Sequence, residues 1–129
     1  MRKEIVKYHD PIKCFLEINL NKLEFFKDLN SMIKSEFIHN MRKDTMDKGS
    51  YIYRDYDKST RMYIIQSGCV EIFTDMEQSD QEFIIERLYR GSIINHNSFL
   101  MNDDMDTDAR CKQSVTLYYI DISTVKTLR

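Results

Sequence analysis

Apolar residues change from helical spacing in the first third of the chain to alternation in the remainder. From residue 4 to residue 43 they form a stripe of the kind found on the buried face of amphipathic helices. Its members are Leu23, Phe25, Phe26, Leu29, Met32, Ile33, Phe37, Ile38 and Met41. Because Pro11 fits only the first turn of a helix, an early helix is predicted to begin near it. Asn30 and Ser31 are typical of the N-cap of a second helix, predicted over residues 31–43.

From Asp44 onwards apolar and polar residues alternate with a period of two, which is the pattern of half-buried strands. The apolar positions of these stretches are Met46, Ile52, Met62, Ile64, Val70, Ile72, Phe83, Ile85, Ala109, Cys111, Leu117 and Tyr119. Polar loops are predicted at residues 55–59 and 75–80. Residues 95–101 break the alternation and are expected to form one helical turn. Ser123 is the predicted N-cap of a final helix.

The chain has three glycines, Gly49, Gly68 and Gly91, and each borders an alternating run. Glycine adopts positive φ without steric cost, so these residues are predicted to mark the tight turns of a compact antiparallel sheet. The order of elements is therefore helices, then about eight short strands with polar turns, then the start of another helix. Such a series of strands favours a barrel or a jelly roll.

Composition narrows the classes of function. With 129 residues, 19 Lys and Arg against 21 Asp and Glu, and a formal charge of −2, the chain is expected to form one domain and not to bind nucleic acid. No apolar run approaches the ~18 residues of a membrane span, so no direct membrane insertion is expected. Three widely spaced cysteines indicate reduced thiols in the cytoplasm. No catalytic or metal-binding motif occurs, so neither an enzyme nor a cofactor is predicted.

Four segments carry a resemblance to a known family. They are residues 46–52 (MDKGSYI), 62–72 (MYIIQSGCVEI), 88–94 (LYRGSII) and 107–111 (TDARC). Over about residues 20–129 the chain resembles the cyclic nucleotide-binding domain family, and all three glycines fall at the turn positions of that family. Within the family it is most similar to the cytosolic domains of cation channels, including those of ciliated protozoa.

The resemblance implies a mainly β fold with flanking helices, namely an antiparallel β-roll of the double-stranded jelly-roll type. We expect an N-terminal helical segment over residues 1–43, the roll over residues 44–122, and the start of a truncated C-terminal helix over residues 123–129. Residues 91–111 correspond to the phosphate-binding cassette of the family. There a short helix and an arginine hold the cyclic phosphate, and a glutamate accepts a hydrogen bond from the ribose 2′-hydroxyl.

The cassette of this chain departs from the family at its ligand contacts. Aligned without gaps, Asn95 stands at the glycine position, His96 at the glutamate position and Met105 at the arginine position. Methionine cannot form a charge-assisted pair with a phosphate, and the four acidic residues of the 103–108 loop would repel an anion. The candidate ligand-binding residues are Ile94, Asn95, His96, Asn97, Ser98, Met105, Asp106 and Thr107.

Arg110 does not replace the missing charge in this interpretation. It alternates with Ala109 and Cys111, whose counterparts in the family face inward, so Arg110 is expected to face outward.

Three hypotheses for the function follow. In the first, the chain is a cytosolic regulatory domain of a larger cation channel or transporter, with weak or lost cyclic nucleotide binding and with other domains of a parent membrane protein as partners. In the second, it is a functional cAMP or cGMP sensor of a channel or a kinase regulatory subunit, and the polar cassette residues bind the ligand. In the third, it is a protein-interaction module without a ligand.

Overall fold

A computed structural model describes residues 10–55, 57–75, 80–96 and 105–128 of the chain. In this part of the chain three helices precede eight strands, and a short helix follows them. The helices are α1 (Pro11–Leu20), α2 (Glu24–Lys27), α3 (Ser31–His39) and α4 (Ile122–Lys126). The strands are β1 (Arg42–Met46), β2 (Tyr51–Tyr53), β3 (Arg61–Ser67), β4 (Val70–Asp75), β5 (Glu82–Leu88), β6 (Ile93–Ile94), β7 (Asp108–Cys111) and β8 (Val115–Asp121).

Side-chain caps start the two longer N-terminal helices where the sequence predicts them. Asp10 Oδ1 accepts hydrogen bonds from the backbone N–H groups of Ile12 and Lys13, at 3.1 Å each, and Pro11 occupies the first turn of α1. Asn30 Oδ1 accepts from the N–H of Ile33 at 2.9 Å, which confirms the predicted N-cap of α3. These bonds satisfy backbone donors that have no partner within the helix.

The predicted end of the second helix at residue 43 is wrong, because α3 ends at His39 and β1 already begins at Arg42. Met41 fits the helical stripe in the sequence, but it is buried in the connection between the two elements. The pairing of β1 with β8, from Arg42 opposite Tyr119 onwards, takes the backbone out of the helix.

The strands form two antiparallel four-stranded sheets, which confirms the mainly β roll with flanking helices. The first sheet has the order β1-β8-β3-β6, and the second has the order β2-β7-β4-β5. The three glycines have φ values between 89° and 97°, as predicted for tight turns.

The apolar core has two parts. One lies between the two sheets and includes Ile65, Ile72 and Leu117, and the other lies between the N-terminal helices and the outer face of the first sheet. The prediction of a half-buried β3 is therefore wrong. Met62 and Ile64 pack against the helices, while Tyr63 and Ile65 face the second sheet, so both faces of the strand are covered.

Phe83 and Ile85 on β5 are 54% and 49% exposed, so their predicted positions in a half-buried strand are also wrong. β5 lies at the edge of the second sheet. Its pairing with β4 shifts by one residue, because Ile72 lies opposite Glu86 whereas Phe73 lies opposite Ile84. Ile85 is the extra residue of this bulge and has no partner on β4, and the edge position leaves β5 without a neighbouring strand on its other side.

The last helix has its N-cap position two residues earlier than predicted. The N-cap position of α4 is Asp121, not Ser123, and no side chain caps the helix. The Asp121 carboxylate instead accepts a hydrogen bond from Arg61 Nε at 2.8 Å. Within the described ranges, no helix has both the length and the apolar character needed to cross a membrane.

Candidate ligand-binding site

A cavity of about 260 Å³ lies at the segment that connects β6 to β7. It is lined by Tyr53, Ile72, Glu86, Leu88, Ile93, Ile94, Asn95, His96, Met105, Asp106 and Thr107. Six of the candidate residues named from the sequence are thus brought together around one space, namely Ile94, Asn95, His96, Met105, Asp106 and Thr107. The other two, Asn97 and Ser98, lie outside the described residues.

The two ends of this segment are held by different sheets. β6 pairs with β3 of the first sheet, where Ile94 lies opposite Tyr63. β7 pairs with β2 and β4 of the second sheet, where Ala109 lies opposite Ile72. The described ends of this segment therefore lie at different sheets, and residues of both ends line the cavity together with residues of the second sheet.

Asn95 ends β6 with an unusual backbone conformation. Its φ is 70°, and it is the one non-glycine residue with a positive φ in the described part of the chain. Asparagine tolerates this region better than most residues. The gap-free alignment puts the glycine of the family cassette at this same position, so the backbone geometry is consistent with that register.

His96 follows directly and lines the cavity. Its Nδ1 atom is buried and has no hydrogen-bond partner among the described residues. A ring nitrogen in this state is available to a bound ligand or to water.

Met105 belongs to the core and not to the solvent-facing rim. Its side chain is 6% exposed and packs in the apolar cluster between the sheets. Its backbone N–H donates to the carbonyl oxygen of Asp57 at 2.8 Å, which fixes the end of the segment against the β2–β3 connection. At this position the chain therefore offers an apolar thioether to the cavity.

The polar groups that line the cavity are acidic or neutral. Glu86 and Asp106 contribute carboxylates. The hydroxyl groups of Tyr53 and Thr107 form a hydrogen bond of 3.1 Å. Burial raises the pKa of Tyr53, the bond to Thr107 lowers it, and the carboxylates of Asp106 and Asp108 raise it, so the phenol is neutral at pH 7.

Residues 91–109 contain four aspartates and neither lysine nor arginine. A phosphate monoanion entering this space would meet negative charges without a full positive charge among the residues that line it.

Arginines near the cavity have carboxylate partners elsewhere. Arg54 Nε donates to Asp108 Oδ1 at 3.0 Å, and Arg61 donates to Asp121. Arg110 donates to both carboxylate oxygens of Glu82, at 2.8 Å each, and its guanidinium lies 4.3 Å from the centre of the Phe73 ring. The pairs with Glu82 raise the pKa of Arg110. As the alternation predicts, Arg110 points away from the inward residues Ala109 and Cys111.

The sequence model named "Cyclic nucleotide-binding domain" matches residues 43–129, about two thirds of the chain. The chain belongs to the cyclic nucleotide-binding domain family. No curated protein matches it.

Solved structures share the fold at low sequence identity. The chain resembles cAMP-bound PfPKA-R (141–441) with a TM-score of 0.83 and 19% identity, over 92% of this chain and 42% of that one. A cyclic nucleotide-binding-like protein from Brucella abortus has a TM-score of 0.78 and 14% identity, over 92% of this chain and 97% of that one. The regulatory subunit of a cAMP-independent protein kinase A from Trypanosoma brucei has a TM-score of 0.67 and 20% identity, over 87% of this chain and 41% of that one. The chain thus spans about two fifths of PfPKA-R in that structure.

For a cyclic nucleotide-binding domain, five lining residues were not predicted from the sequence, namely Tyr53, Ile72, Glu86, Leu88 and Ile93. The i, i+2 spacing of Glu86 and Leu88 is the signal that would have placed them on one face of β5. The apolar run Phe83-Ile84-Ile85 conceals this face, because the bulge at Ile85 interrupts the alternation.

Proposed function

We propose that this chain is a regulatory domain that retains the cyclic nucleotide-binding fold and has weak or no affinity for cyclic nucleotides. The buried, uncharged Met105 carries this proposal, because it stands where the family places its phosphate-binding arginine. Losing one partner of a charge-assisted pair costs ~2–5 kcal/mol of binding free energy.

The charge of the cavity supports the same conclusion. Glu86 and Asp106 both line it, and the nearby Arg54 and Arg61 are paired with aspartates. Both residues are exposed, so their repulsion of an anion is moderate and is screened by salt. An anionic ligand would therefore lose an attraction and gain a repulsion relative to a site that contains arginine.

The larger protein is part of the proposal. The sequence motifs favour a cytosolic domain of a cation channel or transporter, where neighbouring domains of the parent would be the partners. The solved structures include kinase regulatory subunits, one of which is described as part of a cAMP-independent kinase. That description belongs to the other protein, and it illustrates that this fold can serve a kinase that does not depend on cAMP.

Calorimetric titration with cAMP and with cGMP tests the proposal directly. We expect no saturable heat with either nucleotide up to ~1 mM, which corresponds to a binding free energy weaker than about −4 kcal/mol. Micromolar binding of either nucleotide to the unmodified chain would refute the proposal.

A gain-of-function variant tests the physical reason. In Met105→Arg with Glu86→Gln, a guanidinium replaces the thioether, and one of the two carboxylates that line the cavity is replaced by a neutral amide. We expect cAMP affinity to increase by at least about thirtyfold over the unmodified chain, which corresponds to ~2 kcal/mol. The matched control is Met105→Leu with Glu86→Gln, which removes the same negative charge without adding a cation. Equal affinities of the two variants would show that position 105 does not face the phosphate.

A functional cAMP or cGMP sensor is the second candidate. It is favoured by the similarity to cAMP-bound PfPKA-R and by His96, which lines the cavity and whose Nδ1 has no hydrogen-bond partner among the described residues. A cyclic nucleotide that shifts the NMR resonances of His96 and Thr107 in a saturable way would support it. A domain without any ligand is the third candidate, and it predicts no response to nucleotide in the Met105→Arg variant either.

A further inference from the structure

A second cleft lies behind the β6 strand, between the end of α1 and the turn that joins β5 to β6. It is lined by Lys22, Leu23, Leu88, Arg90, Gly91, Ser92, Ile93 and His96. No carboxylate is among these residues. Leu88, Ile93 and His96 also line the acidic cavity described above, so the two spaces are neighbours that share these three side chains.

The cations of this cleft retain free hydrogen-bonding capacity. Lys22 Nζ donates to Asn19 Oδ1 at 2.8 Å, which is a bond to a neutral amide. Arg90 donates one guanidinium N–H to the carbonyl oxygen of Gln66 at 2.8 Å, and its guanidinium lies 4.3 Å from the centre of the Phe15 ring. Within the described ranges neither cation has a carboxylate partner.

Close packing holds this arrangement in place. Asn19 is 6% exposed, and its Nδ2 donates to the carbonyl oxygen of Phe15 at 2.9 Å, so its Oδ1 faces Lys22 in a fixed orientation. A Cβ atom at Gly91 would lie 3.1 Å from Asn19 Oδ1, so glycine lets the turn approach α1 closely. The fixed amide limits the freedom of the Lys22 ammonium group before any ligand arrives, which lowers the entropic cost of binding.

We propose that this cleft binds a phosphoryl dianion on the outer side of the cassette. Lys22 and Arg90 supply the positive charge, and the hydroxyl of Ser92 and a ring nitrogen of His96 supply further hydrogen bonds. The Ser92 hydroxyl oxygen accepts from the N–H of Tyr89 at 3.3 Å, so its own proton is free to be donated. An anion disfavoured in the acidic cavity would thus find complementary charge in the neighbouring cleft. The proposal is independent of whether the cavity binds cyclic nucleotides.

NMR titration of the full chain at pH 7.0 with sodium phosphate and with sodium pyrophosphate tests it, with sodium chloride at equal ionic strength as the reference. We expect saturable shifts of the amides of Lys22, Gly91, Ser92 and Ile93, with dissociation constants on the order of millimolar and tighter binding of pyrophosphate. Shifts that do not saturate, or that equal those in chloride, would overturn the proposal. A ligand in the acidic cavity would instead shift the amide resonances of Met105 and Thr107. Binding of cyclic nucleotides is therefore measured separately from binding in the cleft.

Charge-removing variants make the test specific. Lys22→Gln is expected to weaken pyrophosphate binding by about threefold to fivefold, and Lys22→Gln with Arg90→Gln to abolish saturation, because each exposed ion pair contributes up to ~1 kcal/mol. The matched control is Arg42→Gln with Lys48→Gln, which removes the same charge at exposed positions outside the cleft. Equal losses in the two double variants would assign the effect to net charge and would overturn the proposal. If the double variant Lys22→Gln with Arg90→Gln does not fold, the comparison of Lys22→Gln with the control Lys48→Gln is the test instead.

A blocked phosphoserine serves as a further probe of the source of the anion. Binding as tight as that of inorganic phosphate would support the cleft and favour a phosphorylated side chain as the natural ligand. Binding of inorganic phosphate alone would also support the cleft, and would favour a free phosphate.

Discussion

Two turn glycines offer a controlled comparison of backbone strain and steric contact. Gly68 joins β3 to β4 with φ +97°, and Gly49 joins β1 to β2 with φ +89°. A Cβ atom at Gly68 would lie 2.3 Å from the carbonyl oxygen of Ser114 and 2.9 Å from Cα of Val115, whereas a Cβ atom at Gly49 meets nothing within 4 Å. Replacing each glycine by alanine therefore adds similar conformational strain, but only the change at Gly68 adds a collision with backbone.

The expected free energies follow from these contacts. For an alanine forced to positive φ, the strain in the folded state is ~1–2 kcal/mol. The lower conformational entropy of the unfolded chain with alanine offsets only part of this cost. We therefore expect Gly49→Ala to lower the free energy of unfolding by about 1 kcal/mol. At Gly68 the contact with Ser114 is backbone against backbone, so the start of β8 has to shift, and overpacking of this kind costs a further ~1–3 kcal/mol. Gly68→Ala should lower the free energy of unfolding by about 2–4 kcal/mol in total.

Urea unfolding measures the difference. The chain has no tryptophan, so far-UV circular dichroism and tyrosine fluorescence are the probes. With equal m-values, the two variants should differ by at least ~1 kcal/mol in the free energy of unfolding, and by roughly 3–5 °C in Tm for each kcal/mol. Stabilities within 0.5 kcal/mol of each other, taken as about the error of the extrapolation, would refute the placement of the β3–β4 turn against the start of β8.

Two further predictions concern single side chains. Burial raises the pKa of Tyr63 to about 12, so in an absorbance measurement at alkaline pH its phenol should still be protonated at pH 10, where a tyrosine side chain in a model peptide is half ionised. Because the pKa of Tyr63 is higher in the folded chain than in the unfolded chain, ionisation of its phenol favours unfolding. The contribution of Tyr63 to the free energy of unfolding is therefore complete below pH 10 and falls by about 2–3 kcal/mol as the pH rises to 12. Tyr63→Phe should lack this loss, and an equal loss would contradict the assignment. Asn30→Ala should lower the free energy of unfolding by ~1 kcal/mol through loss of the α3 N-cap, and Ser31→Ala, measured by the same urea titration, is the control.

Local features of the chain were predictable because each depends on a few neighbouring residues. Asp10, Pro11 and Asn30 indicate where α1 and α3 begin, since capping is chemistry of the first helical turn. The turns at Gly49 and Gly68 follow from the freedom of glycine at positive φ. The family motifs added the antiparallel β-roll, an arrangement of strands that no local pattern specifies.

Features that depend on tertiary contacts were not predictable in this way. The two-sided burial of β3 requires helices on one face and a second sheet on the other, and a run such as Met62–Ile65 fits several environments equally well. Ile85 has no partner on β4 because of a bulge whose position is fixed by the pairing of the two strands. Glu86 lies opposite Ile72, a residue of the cavity wall, so its contribution to the charge of the site emerges only with the register of β4 and β5.

Met105 connects the stability of the roll to the chemistry of its cavity. An arginine in the family position is a charge that a bound phosphate neutralises, and without ligand it has to remain solvated. Met105 is instead buried with Ile72 and Ala109, and full burial of a side chain of this size contributes ~1.5–3 kcal/mol. In the proposed register, methionine at position 105 thus removes attraction for an anion and at the same time adds apolar contacts to the core between the sheets. A domain built this way does not need a nucleotide to complete its core. Any change of state that it transmits has to be driven by contacts elsewhere that differ between its two states.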